Sequence, residues 1–246
     1  KKITINSLIT ALSHFCFSNC SSLTEITIPS SVTLINDSCF KGCSSLVQVN
    51  ISPSVTSIQS YAFSGCTSLT QLNIPQSVAV LGESCFSGCS SLTQIDVPAS
   101  VTQILKYTFQ GCKSLTQVNI HSQLNEIGDF AFQGCYSLKQ INIPSSVLII
   151  GKNSFSQCSL LTNFNIPSNL TKIGKEAFRG CTSLKELIIP SSVKALQDGT
   201  FYGCSSLEKI EIPLSIVSIG NSTFKGCSSL QQVSIPDSIK IINLET

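Results

Sequence analysis

Thirteen cysteines and two histidines are the residues of this 246-residue chain best suited to chemistry. Thiols can pair as disulfides, ligate zinc or act as nucleophiles, and a histidine beside a carboxylate can move protons. Spacing narrows these options. Ten of the cysteines recur every 23 residues, from Cys20 to Cys227, and Cys16, Cys39 and Cys85 each stand four residues before one of the ten. In a stacked repeat, column neighbours would have Cα atoms about 4.8 Å apart, but their parallel Cβ atoms would be equally far apart, whereas a disulfide needs roughly 3.5–4.5 Å. The column is therefore expected to hold buried free thiols behaving as small hydrophobes, and the odd total argues against complete pairing. A zinc site needs four converging ligands, and Phe17, Phe40 and Phe86 crowd the space beside Cys16, Cys39 and Cys85. His14 lies in an incomplete first repeat. His121 has Asp96, two positions earlier in the preceding repeat, as its nearest candidate carboxylate, and no third member of a triad. Phosphate loops, paired carboxylates and metal motifs are absent from the sequence. The chain reads as a non-enzyme without metal or cofactor.

The period that spaces the cysteines runs through the whole chain. Phenylalanine stands at Phe17, Phe40, Phe63, Phe86, Phe109, Phe132, Phe155, Phe178, Phe201 and Phe224, always 23 residues apart. A fixed period of this size marks a solenoid, whose repeats are each too short to bury their own apolar face. Counting each coil from its Phe as position 0, coils 1 to 10 carry Cys at +3 and Leu at +6. They carry an apolar residue at +9, Ile or Val at +11, and Val, Leu or Ile at +15, while +18 is Ile or Leu and −1 is small. Stacking turns these into columns of like side chains. The organisation is one repeat domain over 1–246, with residues 1–16 an incomplete repeat and 17–246 ten repeats. Ile3 and Ile5 enter at +9 and +11, mid-coil, and no capping repeat is visible. The sequence is thus expected to be a piece of a longer array, whose uncapped ends would favour end-to-end association.

Within a coil the local period changes. Apolar +9 and +11 alternate with polar +8 and +10, the pattern of a strand with one face inward. Proline follows at +12 in eight coils and should end the strand, since it has no N–H for a ladder. Positions +15 and +18 bracket a second extended piece. Gly at +19 (Gly82, Gly128, Gly151, Gly174, Gly220) is read as supplying positive φ or a tight bend. Positions −1, 0 and +3 share a helical face, which predicts a short helical or 3₁₀ turn closed by Gly at +2, with Asn19 and Gln157 as exceptions. The fold class is a mainly β solenoid, a parallel ladder with one such turn per repeat, on the order of 50 Å long at about 4.8 Å per coil.

Composition bounds the partners. Net charge is +2 and 11% of residues are charged, so the basic stripe of a nucleic-acid binder is missing. No apolar run reaches the length of a membrane span. A surface of Ser, Thr, Asn and Gln suits an extracellular or adhesive protein.

The outward columns are the candidate binding residues. Position +8 supplies Gln48, Gln71, Gln94, Gln117 and Gln140, and position +10 supplies Asn50, Asn73, Asp96, Asn119, Asn142 and Asn165. In register, such amides are expected to hydrogen-bond from coil to coil as in cross-β ladders, and they offer a flat neutral surface centred on coils 2 to 6. Position −2 carries Phe15, Tyr61, Tyr107 and Phe130, aromatics that could anchor a partner at a rim. Five N-x-[ST] triplets begin at Asn19, Asn36, Asn50, Asn169 and Asn221. A glycan on Asn50 would cover the amide surface, and those on Asn36, Asn169 and Asn221 are expected to be tolerated at bends.

The repeat P-x-S-V-T-x-I-G-x-x-A-F-x-G-C-x-S-L-x-x-I-x-I resembles the BspA-type leucine-rich repeat. Gly174 to Ile189, followed by P-S-S-V, is close to that consensus. Ser52 and His121 depart from it by replacing Pro, and Leu105 by replacing Gly. The resemblance implies a leucine-rich-repeat solenoid with the +8 to +11 strands on its concave side. It also implies a surface or secreted protein, adhesin-like, that binds host or matrix proteins; it brings no fixed set of functional residues. The rival reading is a structural spacer that holds another domain away from a surface and has no ligand of its own.

Overall fold

A computed structural model describes residues 1–121, 123–231 and 233–239. The +8 residue of coil 10, Gln232, and the end of that coil lie outside them. The described residues form a right-register stack in which every strand pairs with one 23 residues away. On the first wall, Lys2–Thr4, Glu25–Thr27 and Gln48–Asn50 run parallel, Ile3 facing Ile26 and Ile26 facing Val49. Gln94–Asp96 pairs with Gln117–Asn119, and Glu186–Ile188 with Lys209–Glu211. The second wall, at +17 and +18, is a ladder of two-residue strands. Leu34–Ile35, Ser57–Ile58 and Val80–Leu81 make one run, Gln103–Ile104 to Lys172–Ile173 another, and Ala195–Leu196 pairs with Ser218–Ile219. Side chains alternate as the pattern requires: in Gln48–Asn50, Val49 is buried and both flanking residues are exposed.

The third wall, the arc from −4 to +3, differs from the expected helical turn. Among the described residues it contains no helix. Its N–H groups instead divide by parity. Those at −1, +1 and +3 bond three residues back, as Cys39 to Asn36, Lys41 to Ser38 and Cys43 to Phe40. Those at −2, 0 and +2 bond the next coil, as Ser38 to Ser60, Phe40 to Ala62 and Gly42 to Ser64 at 2.7–2.9 Å. A helix would consume every N–H locally, so the alternation joins the coils at the cost of helix. Two left-handed residues bend the arc. One is +2, where Gly42 has φ 72° and even Gln157 has φ 62°. The other is −2, left-handed in all ten coils from Phe15 (φ 59°) to Ser222 (φ 54°). The glycines at +19 work otherwise than expected: they have no positive φ. A Cβ on Gly174 would lie 2.5 Å from the carbonyl carbon of Gly151, so Gly there permits close approach of successive backbones.

The core is a set of straight columns. Consecutive phenylalanine rings from Phe17 to Phe224 stack at 5.2–5.9 Å and within 13° of parallel. Phe40 to Phe201 are fully buried, with the Leu column at +6 and the thiols at +3 beside them. Each thiol from Cys43 to Cys227 donates to the carbonyl of the Phe 26 residues earlier, at 3.0–3.3 Å. That bond explains the choice of cysteine: it is apolar enough for the core and carries a weak donor for an otherwise underused carbonyl. Ser at +14, a column the sequence reading passed over, bonds a carbonyl in the preceding coil, as Ser77 to Val55 at 2.6 Å.

Candidate partner-binding face

The strand wall presents its +8 and +10 side chains to solvent because the pleat turns +9 and +11 inward. The expected amide ladders form only in part, and in a different pattern. Gln bonds Asn within its own strand: Gln48 Nε2 to Asn50 Oδ1 at 3.2 Å, and Gln117 Nε2 to Asn119 Oδ1 at 2.9 Å. The Asn then reaches back one coil, Asn50 to Thr27 Oγ1 and Asn119 to Asp96 Oδ1. Residues i and i+2 of one strand are neighbours on the same face, so the short Gln–Asn bridge competes with a like-over-like row. Among the described residues, Gln71, Asn73, Gln94, Gln140, Asn142 and Asn165 make no side-chain hydrogen bond within the chain.

Apart from Gln94, these unengaged amides lie where the strand ladder breaks. Coils 3, 6 and 7 have no three-residue strand on this wall, only the bridges Gln71 to Gln94 and Gln140 to Asn163. At coil 7 the +9 position, held elsewhere by Val, Ile or Leu, is Phe164, whose ring sits edge-on against Phe155 and Phe178, centroids 4.9 and 4.8 Å apart. Over coils 6 to 9 the wall forms an open depression of ≈ 800 Å³. It is lined by Gln140, Asn142, Asn163 and Asn165, by Ile188, 65% exposed, and by Glu186, Lys209 and Glu211. Lys209 bonds Glu211 at 2.7 Å, which raises the ammonium pKa, so the far end of the depression is an ion pair.

The aromatics at −2 belong to another wall. Phe164 touches the Phe column from the strand side, so the arc faces the strands across the core. Position −2 is also half a circuit, eleven residues, from +10. Tyr61, Tyr107 and Phe130 therefore do not share a surface with the amides. Tyr61 is 41% exposed beneath Lys41 Nζ at 5.1 Å. Tyr107 and Phe130 stack on each other at 4.9 Å between Lys106 and Lys152.

Catalytic geometry is not assembled among the described residues. Asp96 is engaged by Asn119, and no ion pair joins it to His121; the histidine that meets a carboxylate is His14, 3.1 Å from Asp37. Among the described residues, no group of His, Cys, Asp or Glu is arranged to hold a metal, and no helix is long and apolar enough to cross a membrane. Of the sequons, Asn169 and Asn221 are exposed, but Asn36 is partly buried and donates Nδ2 to Leu12 O at 2.7 Å, so the nitrogen that would carry a glycan is held against the neighbouring coil.

A parallel solenoid with one Phe, Cys and Leu column per coil and an outward strand wall defines a leucine-rich-repeat scaffold. The chain belongs to the family described as the BspA type leucine rich repeat region, which matches over residues 1–93, 33–161, 80–208 and 148–246. It is similar to a leucine-rich repeat protein of Bacteroides ovatus, 28% identical with a TM-score of 0.71, over 96% of this chain and 75% of that one. It is also similar to a leucine rich repeat protein of T. pallidum, 32% identical, TM-score 0.59, over 75% of this chain and 79% of that one. A leucine rich cell surface protein of Faecalibacterium prausnitzii shares the fold at 24% identity and a TM-score of 0.55, over 96% and 77% of the two chains. No curated protein matches the chain. Scaffolds of this family and fold are typically non-enzymatic and generally mediate contacts between proteins.

Proposed function

We propose that this chain is a protein-binding module of a surface or secreted protein, adhesin-like, which recognises a host or matrix protein through its strand wall. The observation that carries the reading is the cluster of unengaged amides over coils 6 and 7, beside an open depression and one exposed isoleucine. Amides without internal partners bond a partner's backbone without first breaking bonds of their own. Ile188 supplies an apolar anchor and the Lys209–Glu211 pair a charged rim. The surface placement draws on the likeness to the Faecalibacterium cell surface protein. The sequence places the binding surface over coils 2 to 6, whereas the unengaged amides and the depression centre it on coils 6 to 9, with the −2 aromatics on another wall.

The test is binding to a panel of immobilised matrix proteins by the unaltered chain and by a variant carrying Gln140→Ser, Asn142→Ser, Asn165→Ser and Ile188→Ser. Loss of binding with unchanged melting supports the module. Equal binding by both would place the partner on another face of the solenoid, and binding by neither to any panel member leaves the spacer reading in its place.

A further inference from the structure

We propose that Cys16 and Cys39 form a reversible disulfide that staples coil 1 to coil 2. Their Sγ atoms lie 3.5 Å apart. No other pair of cysteines has this relation among the described residues, for two reasons. From Cys43 onward the +3 thiols are turned onto Phe carbonyls, as Cys66 is onto Phe40 O at 3.2 Å, instead of onto one another. In the −1 column, cysteines occupy adjacent coils only here: Ala62 follows Cys39, and Cys85 has Ala62 and Thr108 beside it.

Both partners are held in place by backbone bonds, Cys16 N to Ser13 O, Cys39 N to Asn36 O, and Phe17 N to Cys39 O at 2.9 Å. Cα atoms one coil apart already fall within the disulfide range of about 4.4–6.8 Å, and closing the sulfurs to a bond of about 2.05 Å also draws the Cβ atoms in from the roughly 4.8 Å of a straight column to about 4.5 Å or less, a shift of a few tenths of an ångström at the exposed Cys16. Access is one-sided. Cys16 is exposed and Cys39 fully buried behind it, so a small oxidant must enter at Cys16.

The chemistry is thiol–disulfide exchange with a low-molecular-weight disulfide of the glutathione type. The Cys16 thiolate attacks one sulfur of the oxidant, whose S–S bond breaks and releases one small thiolate. The Cys39 thiolate then attacks Cys16 Sγ and expels the second. Two protein thiols are oxidised, one small disulfide is reduced to two thiols, and the protons lost from the cysteines end on the released thiolates. Burial raises the pKa of both cysteines, more so for Cys39, and makes the second step slow at neutral pH. The bond would persist in an oxidising compartment and open in a reducing one.

The experiment equilibrates the folded protein in buffers of oxidised and reduced glutathione, quenches with acid and alkylates the remaining thiols. Trypsin cuts after Lys2 and Lys41 and a glutamate-specific protease after Glu25, which separates Cys16 from Cys39. The expected product is peptide 3–25 joined to 26–41, short of two hydrogens, with Cys20 alkylated and the link undone by dithiothreitol. Cys39→Ser should stop at a glutathione adduct on Cys16, and Cys16→Ser should leave Cys39 unmodified. A lasting glutathione adduct in the unaltered chain, a link through Cys20, or full alkylation under oxidising conditions would overturn the proposal. These readings on the unaltered chain decide it even if a variant does not fold.

Discussion

On the arc, coil after coil presents the same buried ring, the same thiol and the same parity of backbone bonds. Half a circuit away, the strand wall carries glutamine, asparagine, isoleucine, lysine or glutamate, and its ladder runs for two or three coils and then stops. The difference follows from what each side chain has for a neighbour. A core residue packs on its own copy above and below, so a change in one coil is felt by two others. An outward residue meets solvent and short-range partners, so the coils can diverge there without disturbing the stack. Repetition marks the scaffold, and departures from it mark the surface that can be specific.

The comparison can be broken first at high pH, where the effect should be largest. Burial lifts the core thiols, Cys112 and Cys158 among them, above the ordinary thiol range, and lifts the less enclosed Cys43 and Cys227 to about 11. A thiol that stays protonated when folded but ionises when unfolded contributes fully below its unfolded value near 9.0, and that contribution is lost as pH rises toward the folded value. Each fully buried thiol removes about 1.4 kcal/mol per pH unit in that window. With several acting together, Tm should fall steeply between about pH 9 and 11. A Tm unchanged through that window would mean that the arc column ionises freely in the folded state.

A second break is local to the arc. Phe109→Ala empties a column between Phe86 and Phe132 and should cost about 3–5 kcal/mol in denaturant unfolding. A cost below about 1 kcal/mol would place Phe109 outside a packed core. The third test sharpens the contrast within the arc itself. Tyr61 is a bulky residue held at φ 57°, where Ser or Asn serves other coils; Tyr61→Asn should raise stability by up to about 1 kcal/mol after the loss of the Lys41 contact. A loss of stability would show the ring outweighing the backbone strain. The smallest effect belongs to the strand wall: Gln117→Ala removes one exposed Gln–Asn bond and should shift unfolding by no more than about 0.5 kcal/mol. A larger loss would make the amide network part of the scaffold.

Much of the fold could be read from residues alone, because a column of Phe17 to Phe224 at constant spacing admits one stacking register. The strand expected over +8 to +11 forms over +8 to +10, and its parallel pairing and the buried unpaired +3 thiols follow from the same spacing. The expected helical or 3₁₀ turn is present only as separate turns with bonds three residues back, because the donors at −2, 0 and +2 are spent on the next coil, a long-range choice that no local pattern encodes. The left-handed −2 position was hidden by the aromatics occupying it, although Ser38, Asn153 and Gly199 in the same column were a signal. The candidate face was legible as a list of outward residues. Which of them stay unengaged was not, because that depends on i, i+2 bonding such as Gln117 to Asn119 and on which coils keep a full strand.

The way the coils are joined has a mechanical side. The covalent chain runs around the long axis, while the bonds between coils lie along it, so tension on the two ends loads one coil's bonds at a time. Such a body should unzip coil by coil under modest force, each event releasing 23 residues and paying out roughly 75–80 Å of slack. Anchored at one end and gripped at the other, it would behave as a yielding tether whose extension per step is set by the length of its repeat.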